Sequence, residues 1–116
     1  MKLRLHAGSL RLRLSQSEVT RLHDTGEVHD AVVFTPGKEL SYTLETGASD
    51  DTTASFDDGK ITVCLPTRLA MQWIETDQIG IEASTGDLKL LIEKDFECLH
   101  REPEAGEDSF PNPLAT

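Results

Sequence analysis

Leucines recur at every second position in two short stretches near the start of the chain: Leu3 and Leu5, then Leu10, Leu12 and Leu14. Lys2, Arg4, His6, Arg11 and Arg13 fall between or beside them. A period of two puts one set on a buried face and the other on a wet face, which is the signature of strands. Ala7-Gly8 between the stretches predicts a tight hairpin turn, since glycine supplies the positive φ such a turn needs. After Leu14 the period lengthens. Ser15 and Glu18 have the spacing of a capping box, Val19 and Leu22 share one helical face, and Gly26 is a stop. Alternation returns over residues 28–34 and 39–46, which meet at Pro36-Gly37.

The same order then follows a second time. A turn at Asp57-Asp58-Gly59 leads into Ile61, Val63 and Leu65, and Pro66 opens a helix where its missing N–H is not needed. Leu69, Ala70, Trp73 and Ile74 make that helix's apolar stripe, and residues 79–84 and 88–93 meet over Gly86-Asp87. At an offset of 51 residues Leu5 matches Phe56 and Gly8 matches Gly59. Leu10, Leu12 and Leu14 match Ile61, Val63 and Leu65, Leu22 matches Trp73, and Val28 matches Ile79. The match then slips by one, pairing Leu40 with Leu90 and Tyr42 with Ile92.

These elements predict an α+β fold: one domain over residues 1–94 made of two ββαββ repeats, 1–46 and 52–94, joined by the polar residues 47–51. Eight short strands and two helices imply an antiparallel sheet curled into a barrel or strongly curved half-barrel, with the helices over one side. Residues 95–116 hold three prolines and no helical or strand period, so they are expected as an irregular acidic tail. Phe96, Leu99, Phe110 and Leu114 are its candidate anchors on the domain.

Charge narrows the partners. The chain has 21 acidic and 11 basic residues, a net charge of −10, which speaks against nucleic acid and anionic membranes. Residues 1–13 contain four of the bases and no acid, so the basic character is concentrated in the first hairpin. No apolar run has the length of a membrane span, and the start has no continuous apolar region of the kind a signal peptide carries. A cytoplasmic protein is expected, with Cys64 and Cys98 reduced.

Two features carry candidate chemistry. In the segment EKDFECLH, Cys98 and His100 lie two apart and project the same way from an extended chain, so a thiolate and an imidazole can share one zinc or copper ion. Asp95, His6, His29 and Glu102 are the candidates for the missing ligands. The plainer alternative makes Cys98 a small buried hydrophobe and His100 a surface residue. A nucleophilic Cys98, with His100 or His29 as base and Asp30 or Asp95 behind it, is disfavoured because side chains two apart on a strand run parallel. No local catalytic motif is present, so an enzyme is not expected.

The second feature is the basic face of the first hairpin. Lys2, Arg4, Arg11 and Arg13, with His6, share one surface, and guanidinium groups can grip a carboxylate or phosphate in a fork. The plainer alternative is that these cations neutralise the acidic remainder and guard an edge strand against unwanted pairing. The acidic pairs Asp50-Asp51 and Asp57-Asp58 lack the ligand spacing of a calcium loop.

KLRL and SLRLRLSQSEV near the start, GIEA, EKDFECLH and FPNPL near the end resemble a small uncharacterised bacterial protein family of unknown function. The resemblance spans nearly the whole chain; it implies a small soluble domain and no particular activity. The expected function is that of a small non-enzymatic binding protein for a metal ion or a small anion. The alternative is a protein–protein or self-associating module, including a homodimer, that works through the basic hairpin.

Overall fold

The structure, a computed structural model, describes residues 1–96. Strands β1 (Lys2–His6) and β2 (Ser9–Leu14) precede helix α1 (Gln16–Thr25), followed by β3 (Glu27–Thr35) and β4 (Lys38–Gly47). Then come β5 (Thr53–Asp57), β6 (Lys60–Pro66), helix α2 (Thr67–Glu75), β7 (Gly80–Thr85) and β8 (Leu88–Lys94). The fold is mixed α+β, with two helices and two four-stranded sheets.

Local sequence accounts for the ends of α1. The Ser15 side chain accepts from the Glu18 N–H, and the Glu18 carboxylate accepts from the Ser15 N–H, so two orphan donors are satisfied together. At the other end Gly26 takes a left-handed conformation (φ 84°) and donates its N–H to the Leu22 carbonyl. Only a residue without a Cβ does this cheaply. The β5–β6 turn needs two successive positive φ values, met by Asp58 (49°) and Gly59 (72°), the combination whose twist suits a two-residue hairpin.

The sheets differ from the expected antiparallel barrel. The first runs β1-β2-β8-β7 and the second β3-β4-β6-β5. In each, two antiparallel hairpins meet at a central parallel pair, β2 with β8 and β4 with β6. Strands β1, β7, β3 and β5 remain edges, so among the described residues no barrel closes. The helices are the physical reason. Each one carries the chain from one sheet to the other, so the hairpins before and after it cannot lie side by side. Each hairpin pairs instead with a hairpin from the other half of the chain.

Between the sheets lies one apolar core. Leu10, Leu12 and Leu14 of β2, Ile81 of β7 and Leu90 and Ile92 of β8 face Val28, Tyr42, Leu44, Ile61, Val63 and Leu65 from the second sheet. Leu22 of α1 and Ala70 and Trp73 of α2 fill the space where the helices meet both sheets. Trp73 is fully buried, and its indole N–H donates to the Ile79 carbonyl at 3.0 Å, which satisfies its one polar atom.

Three of the residue matches read from the sequence do not hold: Val28 with Ile79, Leu40 with Leu90 and Tyr42 with Ile92. Ile79 is 60% exposed, whereas Val28 is buried; the buried position in β7 is Ile81. Residues 76–79 link α2 to β7, where Gly26 alone links α1 to β3, and this longer connection moves the pattern along. Similarly, Leu10 pairs with Leu90 and Ile61 pairs with Tyr42, so Tyr42 takes the place of Leu90 and not of Ile92. The β3–β4 hairpin also reaches past the end of β6, leaving Val32, Val33 and Phe34 exposed. Of the tail, Asp95 and Phe96 are described, and Phe96 is exposed; Leu99, Phe110 and Leu114 lie outside the described residues.

Trp73→Ala removes the largest buried side chain of the core and is expected to lower the unfolding free energy by about 3–5 kcal/mol. Urea denaturation of the two proteins measures the loss. Native fluorescence should be that of an indole shielded from water, shifting red on unfolding; a loss below about 1 kcal/mol contradicts the packing described.

Candidate functional site

The alternation of β1 and β2 does what its leucines dictate. Leu10, Leu12 and Leu14 go into the core, and Lys2, Arg4, His6, Arg11 and Arg13 stand on the outer face of the first sheet. Register then aligns them in rows across the sheet. Lys2, Arg13 and Glu93 form one row; Arg4, Arg11, Leu91 and Glu82 form the next; His6, Ser9, Lys89 and Ser84 form the third.

The two ends of this face are electrostatically different. At the end near Lys2, Glu93 Oε1 lies 3.1 Å from Arg11 Nε and 3.5 Å from Arg13 Nε, and Lys2 Nζ lies 2.9 Å from Asp95 Oδ2. The Glu93 oxygen is buried and makes no aligned hydrogen bond, so its contacts are ionic. Three of the four predicted anion-binding cations are thus already held by acids of the same chain. Arg4 stands in the next row with Arg11. Across the middle and the third row the face dips into a concavity of about 640 Å³, lined by Arg4, His6, Ser9, Arg11, Ser84 and Lys89 among others. Sequence reasoning missed Ser9, Ser84 and Lys89, because nothing local says that β8 lies beside β2.

The candidate metal ligands are not gathered. His6 is on the outer face of the first sheet, and His29 is on the outer face of the second, where its Nδ1 lies 3.0 Å from Thr43 Oγ1. Asp95 follows β8, with its N–H on the Leu14 carbonyl and its carboxylate on Lys2. Cys98, His100 and Glu102 lie outside the described residues. Among the described residues no three His, Cys, Asp or Glu side chains are grouped to hold an ion. His29 and Asp30 are consecutive on β3, so they point to opposite faces. The Asp30 carboxylate accepts from the Ala31 N–H at 2.9 Å.

Cys64 is half-buried on β6, beside Gly47 and opposite Glu45. Burial first, and then the Glu45 charge, pushes its thiol above the usual range, so little thiolate forms at neutral pH. Among the described residues no helix is long and apolar enough to cross a membrane.

These features define a class: a mixed α+β chain of two sheets and two helices that offers a polar, largely basic sheet face and no assembled catalytic constellation among its described residues. By sequence the chain belongs to the family of unknown function DUF7009, whose family model matches residues 1–114. No curated protein and no solved structure matches it.

Because the Cys64 pKa is raised, thiolate chemistry there should be slow in the folded protein at pH 7 and should accelerate only as the pH passes the ordinary thiol range. Labelling with a disulfide reagent, followed at Cys64 by peptide mass, is expected to run at least tenfold slower in the native state than in urea. Equal rates contradict the burial of this thiol.

Proposed function

We propose that the chain is a non-enzymatic binding module that uses the outer face of its first sheet to hold acidic groups of a partner protein. One observation carries this reading: a chain of net charge −10 collects Lys2, Arg4, Arg11, Arg13 and Lys89 on a single outward face. The way Arg11 and Arg13 close on Glu93 supports it, since the face already holds one carboxylate of its own. Exposed ion pairs contribute little individually, so such a surface favours fast, salt-sensitive encounters over tight binding. The metal reading rests on Cys98 and His100; among the described residues, His6, His29 and Asp95 lend it no common site.

A fluorescent oligoglutamate peptide, followed by anisotropy, tests the reading. Binding is expected at low ionic strength and should fade towards 1 M salt, where the screening length falls to about 3 Å. Arg4→Glu combined with Lys89→Glu should abolish it. Glu93→Gln should strengthen it about two- to fivefold, because one internal competitor is removed; that range corresponds to about 0.4–1 kcal/mol, the size of a solvent-screened ion pair. Binding that ignores both charge reversal and salt overturns the reading, and so does a folded protein that binds no acidic peptide.

A further inference from the structure

We infer that the row His6, Ser9, Lys89 and Ser84 is a site for a phosphate-type group, a tetrahedral oxyanion carrying close to two charges. This deepens the binding reading above and rests on it. The four residues come from β1, β2, β8 and β7, so they cross the whole first sheet in one line. All four line the concavity on its outer face. Among the described residues none of the four side chains has a hydrogen-bond or ion-pair partner. The contrast with the Lys2 end is what assigns the site: there Lys2, Arg11 and Arg13 each contact an acid of the chain, and here an imidazole, two hydroxyls and an ammonium are left to face solvent together.

The chemistry favours phosphate over carboxylate. A carboxylate is flat and presents two oxygens, which suits the side-by-side guanidinium groups that hold Glu93. A phosphate monoester presents three oxygens and up to two charges, and it needs donors from several directions around a compact cation. Lys89 supplies the point charge at the centre of the row. Ser9 and Ser84 stand one strand to either side, about 4.8 Å away each, so their hydroxyls reach towards the same space from opposite flanks. His6 adds a ring donor beyond Ser9, and Arg4 and Arg11 add positive potential from the neighbouring row. Glu82 also lines the concavity; it stands in that neighbouring row, separated from Arg11 by Leu91, and is outweighed there by Arg4, Arg11 and Lys89. The Ala7-Gly8 turn anchors the site, because the Lys89 N–H donates to the Gly8 carbonyl at 2.9 Å and fixes β8 against β2 at this level.

The same group can arrive as free inorganic phosphate or on a phosphorylated serine of a peptide. Amide NMR titrations of the full chain with inorganic phosphate, with a phosphoserine peptide and with its unphosphorylated form separate these sources, with oligoglutamate run in parallel. Saturable shifts centred on residues 6, 9, 84 and 89 are expected with at least one phosphate probe and not with the unphosphorylated peptide. Response to both probes identifies the free ion as sufficient; response to the peptide alone identifies a phosphorylated partner. Lys89→Met should remove the response, and Ser9→Ala and Ser84→Ala should each weaken it about three- to tenfold. These are surface substitutions, so the amide spectrum away from the row should stay unchanged. Shifts that fall elsewhere, or that survive Lys89→Met, overturn the inference. If oligoglutamate binds while both phosphate probes fail, the phosphate site falls and the acidic-partner reading stands. If all three probes fail, both fall.

Discussion

The parallel pairing of β2 with β8 is the constraint on which the rest depends. It joins strands about 80 residues apart in the chain, and it sets two surfaces at once. Inward it stacks Leu10 on Leu90 and Leu12 on Ile92; outward it sets Ser9 beside Lys89 and Arg13 beside Glu93. A slip of one residue would turn β8 over, sending Lys89 and Glu93 into the core and Leu90 and Ile92 to solvent. Burying two charges without partners costs far more than any hydrogen bond the slipped ladder regains. The register is therefore fixed by side chains, and the outer face inherits its charge arrangement from the needs of the core.

What is legible in the sequence follows the range of the interaction. The capping box of Ser15 and Glu18, the stop at Gly26 and the turn at Asp58-Gly59 are each decided within a few residues, and each is where the pattern puts it. Leu22 and Trp73 declare themselves core residues by helical period alone. Parallel pairing has no such local mark, since no turn joins the paired strands. That is why hairpins strung along the chain read as one curled antiparallel sheet, while in space they interleave into two. It is also why Ile79 passes for a core residue in the pattern: its alternation is right, but the connection after α2 holds it outside the sheet.

The candidate site divides in the same way. That Lys2, Arg4, Arg11 and Arg13 share a face is written into a period of two. That three of them meet acids of the same chain is not, because Glu93 and Asp95 come from the far end of the described residues. The same strand that silences one end of the basic face brings Lys89 to the other. Sequence reasoning thus sets the four cations on one face and gives weight to the end where the chain's own acids meet them. The candidate ligands His6 and His29 show the converse: compatible as residue types, they stand on outer faces of two different sheets, and no local rule indicates that separation.

The second sheet sharpens the choice between partners for the basic face. Its outer surface carries Glu27, Glu45 and Asp57, with Lys60 beside Asp57, so its character is acidic where that of the first sheet is basic. Contact between unlike faces of two copies would be heterologous: one copy would still offer its acidic face and the other its basic face. Such contacts close only when their rotation returns to the start, and otherwise they extend into filaments. A two-fold dimer, by contrast, brings like faces together, which a net charge of −10 opposes everywhere except at the first sheet, where basic would then meet basic. Neither arrangement makes use of the unpartnered row at Lys89. A compact doubly charged group does, because it fits within one face, needs no second copy and meets donors the fold has left unsatisfied.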